Sequence, residues 1–232
     1  MSTILIIGAS SGIGQQLTSQ LASSGHQVIG TYHTHPAQSD LPNITYHQVN
    51  ILDDNPDFSY LPEALNGIVY CPGSISLKPF HRIKPIDFAE DYKLQVMGAI
   101  KVIQAALPAL KKGTHPSIVL FSTTAVQTGL NFHSLVSASK GAIEGLTRAL
   151  AAEFAPTIRV NCIAPSLTDT PLAASLLNTE EKRAANAQRH PLKRIGEPSD
   201  IAHMAEFLLS DKSGWITGQV MHVDGGISRL KV

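Results

Sequence analysis

Short apolar segments alternate along the chain with longer segments in which apolar residues recur every three or four positions. The short segments are almost continuously apolar, as expected for strands that are covered on both faces of a parallel sheet. They predict strands over 4–7, 28–31, 44–49, 68–71, 117–122, 159–164 and 219–223. The longer segments predict helices over 12–24, 86–111, 134–155 and 198–209, with a short one near 61–65. This alternation predicts a doubly wound, Rossmann-type α/β fold with helices on both faces of the sheet, in one domain over 1–232.

Two polar stretches interrupt the pattern. Residues 32–43 contain proline and polar side chains and are predicted to form a loop. Residues 166–197 follow a predicted strand and contain Pro171, Pro191 and Gly196 around a short helical piece. Long ordered loops at the ends of strands usually serve binding, so we expect this segment to be the substrate loop.

Composition limits the partners. The chain has 18 Lys plus Arg and 18 Asp plus Glu, which is a formal net charge of +0. Nucleic acids and anionic membranes require an excess of basic charge, so we expect neither as a partner. Cys71 and Cys162 stand apart within apolar segments, which favours buried thiols in a reducing compartment. With no signal-peptide pattern and no apolar stretch near the ~20 residues of a membrane span, we expect a cytoplasmic protein without a metal site.

The first strand–helix junction is rich in glycine. Gly8, Gly12 and Gly14 lie between the first predicted strand and helix, together with Ser10, Ser11 and Ile13. Here glycine permits a tight turn, close approach of the backbone to a pyrophosphate, and close helix–sheet packing. The phosphate would then bind free N–H groups at the start of the helix, which predicts a dinucleotide site.

Two other phosphate or nucleophile motifs were compared with this loop. A Walker loop needs Lys followed by Ser or Thr, whereas Gln15 and Gln16 follow Gly14. Residues 8–12 also match the G-x-S-x-G elbow of hydrolases, although that elbow normally follows several strands rather than the first. A hydrolase therefore remains an alternative at this point.

Further motifs extend the glycine loop into a resemblance that covers the whole chain. They are Asn50-Ile51-Leu52-Asp53, Tyr70-Cys71-Pro72-Gly73, Ser139-Lys140, Asn161-Cys162-Ile163-Ala164-Pro165, Thr170-Pro171 and Val223-Asp224-Gly225-Gly226. In this order and spacing the chain resembles the short-chain dehydrogenase/reductase family. The resemblance implies an NAD(P)-dependent oxidoreductase acting on a small molecule. It also implies a homodimer or homotetramer formed through helices 86–111 and 134–155.

The resemblance also predicts where the cofactor binds. Relatives that use NAD carry an acidic residue after the second strand, but the sequence here is Thr31-Tyr32-His33-Thr34. We therefore expect NADP(H) to be preferred over NAD(H), with His33 beside the 2′-phosphate. The family pattern adds Asn50 and Ile51 beside the adenine, and Gly73, Lys140, Pro165, Thr168 and Thr170 beside the nicotinamide half.

The same resemblance predicts an unusual set of catalytic residues. Family members carry Asn, Ser, Tyr and Lys, with the Tyr one helical turn before the Lys as proton donor. Lys140 is unchanged, but Val136 stands at the tyrosine position, Thr123 at the serine position and Gln95 at the asparagine position. His133 and Tyr70 are the nearby groups that could donate a proton instead.

Two functions follow. One is NADPH-dependent reduction of a small carbonyl or conjugated substrate, with water or His133 supplying the proton. The other is an NADP(H)-binding protein without turnover, acting as a sensor or partner subunit.

Overall fold

The seven apolar segments form the strands of one parallel sheet. A computed structural model describes residues 1–37 and 39–231 of the chain. The strand order is β3-β2-β1-β4-β5-β6-β7, which confirms the predicted Rossmann-type fold. The strands are β1 (Thr3–Ile7), β2 (Gln27–Tyr32), β3 (Ile44–Gln48), β4 (Gly67–Tyr70), β5 (Ser117–Phe121), β6 (Arg159–Pro165) and β7 (Val220–Val223).

Helices cover both faces of this sheet. They are α1 (Gly12–Ser23), α2 (Pro85–Tyr92), α3 (Gly98–Leu110), α4 (Ala125–Thr128), α5 (Ser134–Phe154), α6 (Glu180–Arg189) and α7 (Pro198–Leu209). Side chains alternate along β1, so that Leu5 packs with residues of α3 and α5, and Ile6 packs with residues of α1 and α7. Both side chains are fully buried, as a strand between two apolar layers requires.

The predicted helix 86–111 is interrupted by a π-helical turn. Lys93–Met97 forms this turn between α2 and α3. The buried Tyr70 hydroxyl donates a hydrogen bond of 2.6 Å to the Leu94 carbonyl within it. A side chain on Gly98 would come within 2.1 Å of the same hydroxyl, so only glycine fits there. The turn also places Gln95 at the edge of the cleft described below, in keeping with the frequent occurrence of π turns at functional sites.

The short helix predicted near 61–65 is absent, and this prediction was wrong. Pro62 removes a backbone donor from the segment. Instead, the partly buried side chains of Phe58, Tyr60 and Leu61 pack directly on the core. Three side chains thus cover the sheet where a helix was expected.

Candidate dinucleotide and substrate cleft

A cleft crosses the carboxyl edge of the sheet, where the strand order turns back at β1 and β4. Ligands of doubly wound sheets bind at this switch point. One part, of about 340 Å³, lies against the glycine loop and the end of β2. The other part, of about 280 Å³, lies among the ends of β4, β5 and β6. Ile13, Cys71, Gly73 and Thr170 line both parts, so the two are continuous.

The glycine loop has the geometry expected of a pyrophosphate site. Gly8 and Gly12 have φ values of +79° and +54°, which side chains rarely adopt. A side chain on Gly14 would lie 2.1 Å from the Gly8 carbonyl oxygen, so α1 approaches β1 as closely as glycine permits. The Ser11 side chain does not cap α1, and its first turn contains no acidic residue. The free N–H groups of this helix end therefore fit an anionic pyrophosphate.

Hydrogen bonds fix this loop to β2. Gly8 N–H donates to Thr31 Oγ1 over 3.2 Å, and Ala9 N–H donates to the Thr31 carbonyl over 2.7 Å. Thr31 is only 2% exposed, so it supports the loop from below rather than meeting solvent. His33, Thr34 and His35 follow as exposed residues that line the same part of the cleft.

The predicted adenine residues lie in the same part of the cleft. Asn50 and Ile51 both line it. Asn50 Oδ1 accepts the Leu52 N–H over 3.1 Å, and Asn50 Nδ2 donates to Asp53 over 2.6 Å. The Asn50 side chain therefore also shapes the turn after β3.

Lys140 is the buried charge of the other part. It lies on α5, is 8% exposed, and lines the cleft. Burial lowers the pKa of Lys140 from 10.5 to about 8, although Cys162, Asp91 and Cys71 favour the charged form. Among residues 1–37 and 39–231 no acceptor bonds to its ammonium group, so these donors remain available to a ligand.

Gln95 belongs to a polar cluster beside Lys140. Its Nε2 donates to both carboxylate oxygens of the buried Asp91, over 2.8 and 2.7 Å, and Ser74 donates to the same carboxylate. The Gln95 Oε1 atom is buried and, in the described chain, has no hydrogen-bond partner. A side chain on Gly73 would lie 3.7 Å from Gln95 Oε1 and 3.8 Å from Lys140 Nζ, so both atoms flank the same point of the cleft.

Thr123, His133 and Val136 line this part of the cleft together with Lys140. Val136 is 7% exposed, and its side chain offers no proton. Thr123 Oγ1 accepts a hydrogen bond of 3.3 Å from the Ala125 N–H, which leaves its own proton for another acceptor. His133 immediately precedes α5, and its Nδ1 atom lies 2.7 Å from the Asn131 carbonyl.

Tyr70 does not face the cleft, so its proposed role as a substitute donor was wrong. Its hydroxyl donates to the Leu94 carbonyl on the face of the sheet covered by α3 and α5, and burial raises its pKa. Successive residues of a strand point to opposite faces, and in an entirely apolar strand the sequence does not show which face the last residue of β4 takes.

Pro165 is the last residue of β6, and Thr168 and Thr170 lie in the segment after it; all three line the cleft. Thr168 Oγ1 donates to the Ser166 carbonyl over 3.0 Å, and Thr170 packs against Gly12. This segment continues through the turn Pro171–Leu176 to α6. The first part of the predicted substrate loop, residues 166–176, therefore lies against the glycine loop through Thr170.

One residue of this loop was not identified from the sequence. His190 ends the α6 segment, is 3% exposed, and lines the cleft. Its Nε2 lies 2.8 Å from Ser166 Oγ, and its Nδ1 lies 2.9 Å from the Asn186 carbonyl. Residues 166 and 190 are far apart in sequence, so the only signal was that Ser166 replaces a glycine usual in the resembled family.

The residues that the structure describes contain neither a metal-binding cluster nor a membrane-spanning helix. Across residues 1–37 and 39–231, no group of three or more His, Cys, Asp or Glu side chains is placed to hold a metal ion. Within the same ranges, no helix is both long and apolar enough to cross a membrane. Cys71 and Cys162 are both free thiols; Cys162 is buried as predicted, whereas Cys71 is partly exposed.

Comparisons with known proteins agree with this geometry. The family model described as Enoyl-(Acyl carrier protein) reductase matches residues 60–228. L-xylulose reductase of Bos taurus is 30% identical, over 96% of this chain and 94% of that protein. A short-chain dehydrogenase/reductase from Mycobacterium ulcerans is 28% identical with a TM-score of 0.88, over 98% of this chain and 90% of that one. ElxO, solved with NADP bound, is 25% identical with a TM-score of 0.85, over 98% of this chain and 99% of that one. The chain is thus a member of the short-chain dehydrogenase/reductase family of NAD(P)-dependent oxidoreductases.

Proposed function

We propose that this protein uses NADPH to reduce a small carbonyl or conjugated substrate, in an active site that lacks the tyrosine acid of its family. The observation that carries the proposal is the cleft itself. The glycine loop and Lys140 line one continuous cleft, and Val136, which stands at the family's tyrosine position, lines it together with Lys140.

The dinucleotide would supply the hydride, and the chain would hold and orient it. The free N–H groups at the start of α1 would bind the pyrophosphate. Lys140 would donate to the ribose hydroxyls on the nicotinamide side, since its ammonium group has unused donors. Pro165, Thr168 and Thr170 would border the ring, and Ser10, Ser11 and His33 would border the ribose and phosphate of the adenosine half.

Preference for NADPH over NADH follows from the charge after β2. Thr31-Tyr32-His33-Thr34-His35 contains no carboxylate that would repel a 2′-phosphate. His33 is exposed on the cleft wall, where it can acquire a proton when a phosphate binds beside it.

The substrate oxygen would bind beside Thr123, whose hydroxyl proton is free, in the part of the cleft that Gln95 also lines. Water or His133 would supply the proton that completes reduction. Such a site suits conjugated or iminium bonds, because they accept hydride without strong acid assistance.

A cofactor-binding protein without turnover is the second candidate, and Val136 is the observation that favours it. The two functions differ in one experiment. NADPH binding is measured by fluorescence titration, and NADPH oxidation is then followed with a panel of ketones, aldehydes, enones and imines. Binding with turnover of any substrate supports a reductase, whereas binding without turnover across the panel supports a sensor.

We also propose that the protein is a homodimer or homotetramer through the α2–α3 and α5 faces. Ala99 and Ala106 are fully buried within the subunit, so they pack on its own sheet instead of reaching a partner. Ala105, Gly145 and Ala149 are exposed and remain available for close helix approach. Light scattering that detects only a species of monomer mass, 24.8 kDa, would contradict this proposal.

A further inference from the structure

Ser166 and His190 form a hydrogen-bonded pair in the wall of the substrate part of the cleft. The Ser166 Oγ to His190 Nε2 distance is 2.8 Å, and both residues line the cleft alongside Lys140 and Thr123. His190 is 3% exposed and packs against Gly225, whose φ of +60° excludes most side chains there. The imidazole is therefore held in one position.

The second ring nitrogen defines what the pair can do. His190 Nδ1 lies 2.9 Å from the Asn186 carbonyl, which can only accept a hydrogen bond. Nδ1 must therefore carry a proton, and Nε2 is left to exchange one with the serine hydroxyl. This arrangement, in which a third group fixes the tautomer of a histidine beside a hydroxyl, is the one used to move protons in hydroxyl-based active sites.

The pair also lies between two spaces. Ser166 and His190 also line a second pocket of about 160 Å³, together with Arg194 and Asp224. A proton can thus reach His190 from that pocket and leave from Ser166 into the cleft. His133 has no comparable second opening among the described pockets, since it lines only the cofactor cleft.

We infer that Ser166 and His190 are the proton-transfer pair of this active site, with Ser166 donating to the substrate oxygen and His190 replacing the serine proton. This inference rests on the proposed reductase function. It assigns to named residues the step otherwise left to water or His133.

The step balances as follows. A hydride from the reduced nicotinamide dinucleotide adds to the carbonyl carbon, and the C=O π bond breaks to leave an alkoxide. The alkoxide takes the proton of Ser166 Oγ, and Ser166 Oγ takes the Nε2 proton of cationic His190. Neutral His190 keeps its Nδ1 proton, which it donates in a hydrogen bond to the Asn186 carbonyl. Nε2 then regains a proton from water that enters through the second pocket.

The charged groups around His190 come in both signs. Arg189 lines the cofactor cleft beside it, and Arg194, Asp200 and Asp224 line the second pocket. Arg194 bonds to Asp200 over 2.6 and 2.8 Å, and Asp224 accepts the Gly226 N–H over 2.8 Å.

The test uses single-turnover reduction of the best substrate from the panel, measured against pH and in D2O. His190→Gln and Ser166→Ala should each lower the rate by about 100-fold, and each should change how the rate depends on pH. Ser166→Thr keeps a hydroxyl and should retain most of the rate. NADPH affinity, measured by fluorescence, should be unchanged in all three. His222→Gln is the matched control, because His222 lies in β7 and lines none of the described pockets.

A readout without turnover comes from ¹⁵N NMR of the histidine rings. Neutral His190 should carry its proton on Nδ1, and Ser166→Ala should shift its Nε2 resonance. A neutral ring protonated on Nε2 would overturn the inference. So would wild-type rates and pH profiles in His190→Gln and Ser166→Ala, particularly if His133→Ala is slow. If the wild type binds NADPH but reduces nothing, the proposed function fails, and the inference fails with it.

Discussion

The two parts of the cleft are built from different materials. The part against the glycine loop and the end of β2, which we propose for the adenosine half of the cofactor and call the adenosine part, is made mainly of backbone. Gly8, Gly12 and Gly14 shape it, and free N–H groups at the start of α1 provide its polarity. The part among the ends of β4, β5 and β6, proposed for the nicotinamide half and called the nicotinamide part, is made of side chains; those in or next to its wall, buried or partly buried, are Lys140, Asp91, Gln95, His190 and Ser166. A backbone site depends on where glycine is placed, whereas a side-chain site depends on the identity of each residue.

This difference explains how the two parts respond to sequence change. A pyrophosphate site made of backbone works only while the path of the backbone is preserved. That path requires glycine at Gly8, Gly12 and Gly14, so the loop keeps the family pattern. The side-chain site can exchange one proton donor for another, provided that burial and hydrogen bonds support the new one. Val136 at one position and the Ser166–His190 pair at another fit such an exchange.

The largest effect is expected from Gly14→Ala in the backbone part. Its Cβ would lie 2.1 Å from the Gly8 carbonyl oxygen, so the loop must move away from α1. NADPH affinity should fall at least about 1,000-fold, or about 4 kcal/mol. Gly25→Ala is the control, because its φ of +83° strains alanine but nothing lies within 4 Å. It should lose stability and keep its affinity, and equal affinities in the two variants would contradict a backbone site.

Lys140→Met tests how much the buried charge of the side-chain part lowers the free energy of unfolding. Burial lowers the pKa of Lys140 to about 8, so keeping this group charged at neutral pH destabilises the folded protein. The variant should raise the free energy of unfolding by about 3 kcal/mol at pH 7 while weakening NADPH binding. Between pH 8 and 10.5 the unfolded chain binds the extra proton, so wild-type stability rises with pH there and the difference closes.

Denaturation at several pH values measures that difference. Lys112→Met is the matched control, since its side chain is 59% exposed and pairs with Glu63 at the surface. It should change stability by no more than about 0.5 kcal/mol at any of these pH values. A Lys140→Met variant that is less stable than wild type at pH 7 would show that the ammonium group is held by bonds that the geometry lacks.

Val136→Tyr tests whether the side-chain part can be returned to the family pattern. A phenol one turn before Lys140 would face the cleft near Thr123, and the lysine charge would lower its pKa from about 10. NADPH-dependent carbonyl reduction should rise at least about tenfold, or about 1.4 kcal/mol, without tighter NADPH binding. Val136→Phe adds the ring without the hydroxyl and should show no gain. A gain shared by both variants would point to packing rather than to acid catalysis.

The sequence predicted the backbone part better than the side-chain part, for a physical reason. Strand periodicity and glycine spacing are local signals, and they predicted the position of the glycine loop and the bounds of each strand within about one residue. The Ser166–His190 pair and the Asp91–Gln95 contact depend on how the substrate loop and the π-helical turn fold back on the sheet. No local pattern encodes those approaches. The missing helix near 61–65 and the wrong face for Tyr70 arise in the same way, from packing decided elsewhere in the chain.

The smallest effect is expected after the end of β2, where two exposed histidine side chains line the adenosine part of the cleft. His33 and His35 are both exposed and both line the adenosine part of the cleft. We predict that the wild type binds NADPH at least about tenfold more tightly than NADH, and that His33→Ala lowers this ratio by about threefold. An exposed cation contributes less than about 1 kcal/mol to an ion pair, which sets that limit. His35→Ala removes a neighbouring ring and should leave the ratio unchanged. The contribution should also shrink in high salt, because salt screens the attraction of an exposed group to the 2′-phosphate. Fluorescence titration of both cofactors against the three proteins decides the matter, and a ratio near one in the wild type would show that an absent carboxylate is not enough to select NADPH.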